Sequence, residues 1–347
     1  MAPTHVLVTG ATGFVGAHVV DHLLSRGLKV TGTTRSQKKA ERMLAARSGY
    51  NNHLRFVQIT EITDLGDAIT EDIDGIIHCA SPVAMKFENP EKEVLQPAIS
   101  AVTSLLTRAA THPQISRVVV TSSAGALRDL STTQYAPGSV YNSSSWNPAT
   151  YASAATSTQG LYIYAASKAL SERAAWDFVD AEKPRFTIST VIMPLVIGPP
   201  ANNIESMDEA SESAKILWGI AQGQYPNEDS RRVSPWCVDV YEVAEAHVQA
   251  LLKPEAAGKR WFLSGPRWSL GLVKEFLDEE CSWAETGELM GDDVRCEFVY
   301  EGEEAAKKLG LEYRTLEESL RAAFEGWKKI DDAAKEREMT GSGTDGM

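Results

Sequence analysis

The stretch that decides the fold is Thr9-Gly10-Ala11-Thr12-Gly13-Phe14-Val15-Gly16, close to the start of the chain. It follows a short apolar run and precedes a helical pattern at residues 14–26, so its glycines lie between a predicted strand and a predicted helix. Gly10 allows a tight turn there, Gly13 lets the backbone approach a pyrophosphate, and Gly16 allows the helix to pack closely on the strand. Free N–H groups at the helix N-terminus then face the phosphates. The stretch therefore predicts a dinucleotide-binding site.

The rest of the first half alternates short apolar runs with helical patterns. The predicted strands are residues 5–9, 29–34, 55–60, 75–80, 117–122, 186–193 and 260–264. This alternation predicts an α/β fold, a Rossmann-type doubly wound parallel sheet with a smaller C-terminal substrate-binding domain. Asp239 is predicted to cap a helix that runs to Leu252, and residues 316–330 form a terminal amphipathic helix. Residues 129–160 have little periodicity, which is compatible with a surface insertion, with a loop over the site, or with both at once.

Composition shifts divide the chain into two units and a tail. We predict that residues 1–197 and 236–264 form the dinucleotide-binding Rossmann domain. Residues 198–235, punctuated by Pro and Gly around one helix, join residues 265–330 in the smaller domain. Residues 331–347 are polar and Gly-rich, which predicts a flexible tail.

The overall composition argues against several classes of partner and against a membrane location. The 347 residues carry a net charge of −13, which disfavours nucleic acid or an anionic membrane as a partner. No stretch approaches the roughly 20 apolar residues of a membrane span, and the N-terminus enters a strand too early for a signal peptide. Cys79, Cys237, Cys281 and Cys296 form no C-x-x-C pair and are interpreted as reduced thiols. We expect a cytoplasmic protein without a metal site.

The residues after the second predicted strand indicate which dinucleotide binds. An NAD enzyme usually carries an acid about 20 residues past the glycines, where it binds the ribose 2′-hydroxyl. This chain has Arg35 at that point and no acid until Glu41. A guanidinium can pair with a 2′-phosphate through two hydrogen bonds, and Lys39 lies one helical turn further on. The alternative is a solvated basic helix start. The pattern favours NADP(H).

A second motif, Tyr164-Ala165-Ala166-Ser167-Lys168, predicts the proton chemistry. Tyr164 and Lys168 are four residues apart and so lie on one face of a helix. An ammonium next to a phenol stabilises the phenolate, and it can also bind the nicotinamide ribose. An exposed helical Tyr/Lys pair is the alternative. Ser122 and Ser123 end the fifth strand; one is expected to cap the backbone and the other to donate to the substrate, and the residues alone do not say which.

The ordered set of motifs resembles an extended short-chain dehydrogenase/reductase. Within that group the chain is similar to the carbonyl reductases that include fungal methylglyoxal reductases and plant dihydroflavonol reductases. The matching stretches run in the family's order, at residues 9–16, 78–82, 121–124, 164–168, 194–199, 238–240 and 244–247.

The resemblance implies a set of site residues. Ser123, Tyr164 and Lys168 would be catalytic. Cofactor contacts are implied for the phosphate turn, the basic stretch after the second strand, an acid–apolar pair near adenine, and residues around the nicotinamide. These are Thr9, Gly10, Thr12, Gly13, Phe14, Val15, Gly16, Arg35, Lys39, Glu61, Ile62, Ala80, Ser81, Thr121, Pro194, Leu195 and Val196, together with Tyr164 and Lys168.

Apolar and aromatic residues near these motifs are candidates for the substrate pocket. They include Val83, Leu127 and Tyr162, for which an ordinary core role is the alternative. We expect NADPH-dependent reduction of a hydrophobic ketone or aldehyde, with Tyr164 as proton donor, by a monomer or homodimer. The rival hypotheses are an NAD-dependent nucleotide-sugar epimerase or dehydratase of the same fold and a non-catalytic NADP-binding sensor.

Overall fold

The structure is a computed structural model that describes residues 2–81, 87–130, 138–225, 235–289 and 298–341. Its centre is a seven-stranded sheet in which all paired strands are parallel. The strands are β1 (His5–Thr9), β2 (Lys29–Thr34), β3 (Leu54–Gln58), β4 (Gly75–His78), β5 (Arg117–Ser123), β6 (Val140–Tyr141), β7 (Thr187–Met193), β8 (Leu195–Ile197), β9 (Cys237–Asp239), β10 (Arg260–Phe262) and β11 (Val299–Tyr300).

The order of strands across the large sheet is β10-β7-β5-β4-β1-β2-β3. The order reverses between β1 and β4, which creates the crevice where open α/β sheets bind ligands, outside the carboxyl ends of the strands. The short strands form two further parallel pairs, β6 with β11 and β8 with β9. The predicted Rossmann-type doubly wound parallel sheet is therefore confirmed.

Helices cover both faces of the sheet. They are α1 (Phe14–Leu24), α2 (Gln37–Ala46), α3 (Gln96–Ala110), α4 (Tyr151–Ala155), α5 (Gly160–Glu182), α6 (Glu212–Ile220), α7 (Val240–Leu252), α8 (Leu270–Glu280), α9 (Glu303–Leu309) and α10 (Leu316–Gly341). Asp239 caps α7 as predicted, and a capping box with Glu242 satisfies N–H groups at the start of the helix. In the described part of the chain, no helix has the length and apolar character needed to cross a bilayer.

The C-terminal helix is longer than the sequence pattern indicated. Helix α10 continues to Gly341, eleven residues past the predicted end at Ile330. The apolar pattern that marked the helix ends at Ile330. The turns beyond it are supported instead by side-chain pairs at i, i+4 spacing, namely a Lys328–Asp332 contact and a Lys335–Asp331 ion pair. Residues 331–341 are therefore helical, the flexibility of the tail stays a prediction, and residues 342–347 lie outside the described residues.

The region at residues 129–160 also contains regular structure in its described part, namely β6 and α4. Next to the main sheet core, a second apolar cluster joins α6, α8 and α10, with Trp218, Phe276, Phe324 and Trp327 among its buried residues. Because this cluster is separate from the core around the sheet, it supports the predicted smaller domain, whose boundaries stay a prediction.

Candidate active site

The phosphate turn has the geometry that its glycines predicted. Gly10 has a φ of +66°, and an ideal Cβ on it would lie 2.9 Å from the backbone of Ala80, where β4 ends. A Cβ on Gly16 would lie 2.2 Å from the Gly10 carbonyl oxygen, so only glycine lets α1 pack on the turn. Gly13 is the N-cap of α1 and provides no side-chain cap, which leaves first-turn N–H groups for an anion. The turn therefore fits a pyrophosphate.

The adenosine side lies at the ends of β2 and β3. Arg35 is exposed immediately after β2, and among the described residues it makes no ion pair. Ser36 caps α2 by accepting from the Lys39 N–H at 3.4 Å, which places Lys39 in the first turn of that helix. Glu61 is exposed and Ile62 half-buried in the turns after β3. Their adenine contacts stay predictions.

The predicted proton-transfer pair lies on α5 against the end of β4. The Lys168 ammonium is 5.6 Å from the centre of the Tyr164 ring and donates a hydrogen bond to Ser81 Oγ at 2.6 Å. Lys168 is only 8% exposed, whereas Tyr164 is half-buried. The cation is thus fixed beneath a phenol that remains accessible, next to the predicted nicotinamide side of the crevice.

The two serines at the end of β5 have different partners. Ser122 is buried and donates its hydroxyl proton to Glu172 Oε2 at 2.5 Å, so this proton is already used in a hydrogen bond. Ser123 is half-buried, and its Oγ accepts from the Gly125 N–H at 3.2 Å; within the described part of the chain its own O–H has no acceptor. Ser123 is therefore the serine that caps the backbone, and Ser122 is the one that contacts Glu172; which of them donates to the substrate stays a prediction.

The turn that follows Ser123 packs directly on α5. An ideal Cβ on Gly125 would lie 3.1 Å from the Cα of Ala165 and 3.6 Å from Ser123 Oγ. Ala165 is the neighbour of Tyr164, so the turn after Ser123 packs against the part of α5 that carries Tyr164. The small residues of α5 permit this approach.

The sequence analysis missed a buried ion pair beneath these residues. Glu172, 1% exposed, accepts from Thr190 Oγ1 at 2.8 Å and from Arg260 Nε at 2.7 Å, in addition to Ser122. Arg260 also donates to the carbonyl oxygens of Ser143 and Ser145 at 2.6 and 2.7 Å. The network joins α5, β5, β7 and β10 to the 129–160 region. The only sequence signal is an acid one turn after Lys168 on the same helix face.

Two buried histidines, also missed, hold threonines of the predicted cofactor site. Thr9 Oγ1 lies 2.7 Å from His78 Nδ1, and Thr121 Oγ1 lies 2.7 Å from His247 Nε2. Burial lowers the pKa of each imidazole to about 4, with the Lys168 charge as a smaller cause at His78. Both histidines are therefore neutral at pH 7. Because His247 Nδ1 faces the Val243 carbonyl at 2.7 Å, its Nε2 is the acceptor and Thr121 donates.

The remaining predicted cofactor residues lie along the crevice. Phe14 and Val15 lie at the start of α1 and are half-buried. Thr12, before α1, and Ala80 and Ser81, after β4, are half-buried as well. Pro194 is buried, whereas Leu195 and Val196 are half-buried in β8. Their contacts to a dinucleotide stay predictions.

The substrate candidates are less favourable. Leu127 is 1% exposed in a cluster with Trp236 and Phe298. Tyr162 is 7% exposed, and its Oη lies 2.8 Å from Ser153 Oγ. Burial favours a packing role for both side chains, and their contact with substrate stays a prediction. Val83 lies outside the described residues.

Comparisons with known proteins agree with this geometry. Residues 6–263 match the model of the family described as "NAD dependent epimerase/dehydratase family". An uncharacterized oxidoreductase of Schizosaccharomyces pombe is 32% identical over 339 residues, which are 94% of this chain and 98% of the relative. An NADPH-dependent methylglyoxal reductase of Saccharomyces cerevisiae is 30% identical over 286 residues, 79% of this chain and 82% of the relative. A crystal structure of yeast methylglyoxal/isovaleraldehyde reductase complexed with NADPH has a TM-score of 0.84 and 27% identity, and covers 95% of this chain and 99% of that chain.

Proposed function

Because the chain belongs to the NAD dependent epimerase/dehydratase family of extended short-chain dehydrogenases/reductases, we propose that it is an NADPH-dependent reductase of ketones or aldehydes. The observation that carries the proposal is the Tyr164–Lys168 pair on α5, with Ser123 at the adjoining end of β5 and the glycine turn across the crevice. The relatives that align over most of their length include proteins named as NADPH-dependent methylglyoxal reductases, which favours a small carbonyl substrate.

The residues present fit NADPH. The open N-terminus of α1 would hold the pyrophosphate, the cations after β2 would hold the 2′-phosphate, and Lys168 with Ser81 lies on the predicted nicotinamide side. When bound, this cofactor supplies the hydride that the carbonyl carbon receives.

The chain's own groups handle the substrate oxygen. The Ser123 O–H has no acceptor among the described residues and would donate a hydrogen bond to the carbonyl oxygen, which would hold that oxygen in place and stabilise developing negative charge. Tyr164 would donate its proton to the same oxygen, which completes the alcohol. The Lys168 ammonium, 5.6 Å from the Tyr164 ring, stabilises the phenolate until it regains a proton from solvent.

The decisive experiment is Tyr164→Phe, which removes the proton donor without changing the packing of the ring. Reduction of a panel that includes methylglyoxal and isovaleraldehyde, followed by NADPH absorbance, should fall at least about 100-fold in kcat/KM. NADPH binding measured by calorimetry should stay within about threefold, because the ring is not a phosphate contact.

Tyr313→Phe is the control, since it also removes only a hydroxyl, which accepts from the Ser264 N–H at 3.1 Å and belongs to no predicted site residue. It should retain most of the activity. Undiminished reduction by Tyr164→Phe would contradict the proposal. Protein that co-purifies with tightly bound NAD and interconverts nucleotide sugars, but reduces no carbonyl of the panel, would support the epimerase rival instead.

A further inference from the structure

A segment distant in sequence lies against the adenosine side of the crevice. This segment, residues 202–209, is named here the acidic segment. Its first residue, Asn202, donates to the Thr12 carbonyl oxygen of the phosphate turn at 3.4 Å. Arg47, just after α2, donates to Asn203 Oδ1 at 2.9 Å. The acidic segment is thereby attached to both the glycine turn and the end of α2.

Two carboxylates of the acidic segment pair with the cations of α2. Glu205 Oε2 lies 2.8 Å from Lys38 Nζ and 3.1 Å from an Arg42 nitrogen. Glu209 Oε2 lies 3.0 Å from Arg42 Nη2 and 3.7 Å from Lys39 Nζ. Of the two cations predicted to receive a 2′-phosphate, Lys39 therefore faces an acid of the chain itself, whereas Arg35 makes no ion pair among the described residues.

The four contacts are unequal. Arg42 binds Glu209 through two nitrogens, with hydrogen bonds of 3.0 and 3.4 Å, and its side chain is 16% exposed. The Lys39 contact is the longest of the four, and the Lys39 side chain is 36% exposed. Lys39 can therefore turn away from Glu209 at small cost, since Glu209 keeps its bidentate arginine partner.

We propose that Glu209 determines cofactor affinity by competing with the 2′-phosphate of NADPH for Lys39. The Glu209 carboxylate holds Lys39 when no phosphate is present, and a bound 2′-phosphate has to draw the lysine away from it. The phosphate then also remains near the negative charge of Glu209, which repels it. Glu209 thus weakens binding of the phosphorylated dinucleotide and leaves the unphosphorylated one unaffected. The inference rests on the proposed NADPH dependence and adds an opposing determinant to the site.

The test compares Glu209→Gln with Glu205→Gln in the full chain. Both changes remove one negative charge from the same segment, but only Glu209 contacts Lys39. Binding of NADP⁺, NAD⁺ and adenosine 2′,5′-bisphosphate is measured by calorimetry without any substrate. Glu209→Gln should bind NADP⁺ and the bisphosphate about 5-fold more tightly, and NAD⁺ within about twofold of the unchanged protein. Glu205→Gln should stay within about twofold for all three.

A second comparison adds Lys39→Met. In this background the gain from Glu209→Gln should be clearly smaller, because the contested cation is absent and only the loss of one nearby negative charge still acts. The gain should also shrink as the salt concentration rises, since both groups are partly exposed. An unchanged or weaker NADP⁺ affinity of Glu209→Gln would overturn the inference, as would an equal gain in Glu205→Gln. Failure of the unchanged protein to bind NADP⁺ would instead count against the proposed function.

Discussion

Ser122 and Ser123 are neighbours in sequence, yet their side chains serve different parts of the molecule. Successive side chains of a strand point to opposite faces. Ser122 consequently meets Glu172 on α5, while Ser123 lies at the crevice with its oxygen accepting from Gly125. A single position along β5 thus separates a residue of the buried network from a residue of the proposed reaction.

The matching prediction uses alanine at each serine. Ser123→Ala should reduce kcat by about 100-fold with little loss of NADPH affinity, because it removes a donor to the substrate oxygen. Ser122→Ala should retain more activity but lower the free energy of unfolding by about 1–3 kcal/mol, because Glu172 loses a hydrogen bond in a buried setting. Steady-state kinetics and urea denaturation of both variants distinguish them. A large loss of kcat in Ser122→Ala with a loss of stability in Ser123→Ala would contradict this assignment of the two serines.

At the scale of elements, the pair of Glu172 and Arg260 connects the helix that carries the reactive groups to the sheet. Glu172 lies one turn past Lys168 on α5, and Arg260 begins the edge strand β10. Arg260 also stacks over the Trp146 ring, 3.6 Å from its centre, and so holds part of the 129–160 region. The position of α5 relative to β5 therefore depends on a charge pair with side-chain exposures of 1% and 10%.

Removal of that cation should have a large effect. Arg260→Met leaves the Glu172 carboxylate buried without its charged partner, and the free energy of unfolding should fall by about 3–5 kcal/mol. Arg321→Met is the control, because the Arg321–Glu280 pair is as short, at 2.7 Å, but about half exposed. Its loss should stay below about 1 kcal/mol. Equal effects in urea denaturation would show that burial of the Glu172 pair contributes nothing.

At the scale of the whole molecule, buried imidazoles couple stability to pH. His78 and His247 have their pKa values lowered to about 4 by burial, whereas the unfolded chain would protonate them near 6.5. Between these values the unfolded state binds more protons, so stability rises with pH and falls on acidification. Glu242 has the opposite effect, because burial raises its pKa to about 7 and the folded state therefore binds more protons than the unfolded state between about pH 4.5 and 7. The stability that this proton provides is lost as the pH rises through that range.

The effect of the two histidines on the pH dependence of stability exceeds the opposite effect of the one carboxyl group. Between pH 6 and 5 the unfolded chain should bind about one more proton than the folded chain, so the free energy of unfolding should fall by about 1.4 kcal/mol per pH unit. His5 and His18, whose pKa values burial also lowers, act in the same direction. Urea denaturation at pH 7, 6 and 5 measures the slope. A stability that is constant or rises on acidification would contradict the prediction.

The chain's local stretches determined the phosphate turn, the Tyr164–Lys168 pair and the basic start of α2. Each depends on residues a few positions apart, through the backbone freedom of glycine or the period of a helix. They sufficed for the fold class and the proposed chemistry.

Only the tertiary structure decided how distant residues meet. Arg260 reaches Glu172 across 88 positions, His247 reaches Thr121 across 126, and Arg42 reaches Glu209 across 167. Such contacts depend on which strands become neighbours and on how the chain returns over the sheet, and no local pattern encodes them. The same reason explains why the direction of each serine at the end of β5 became known only once its partners were in place.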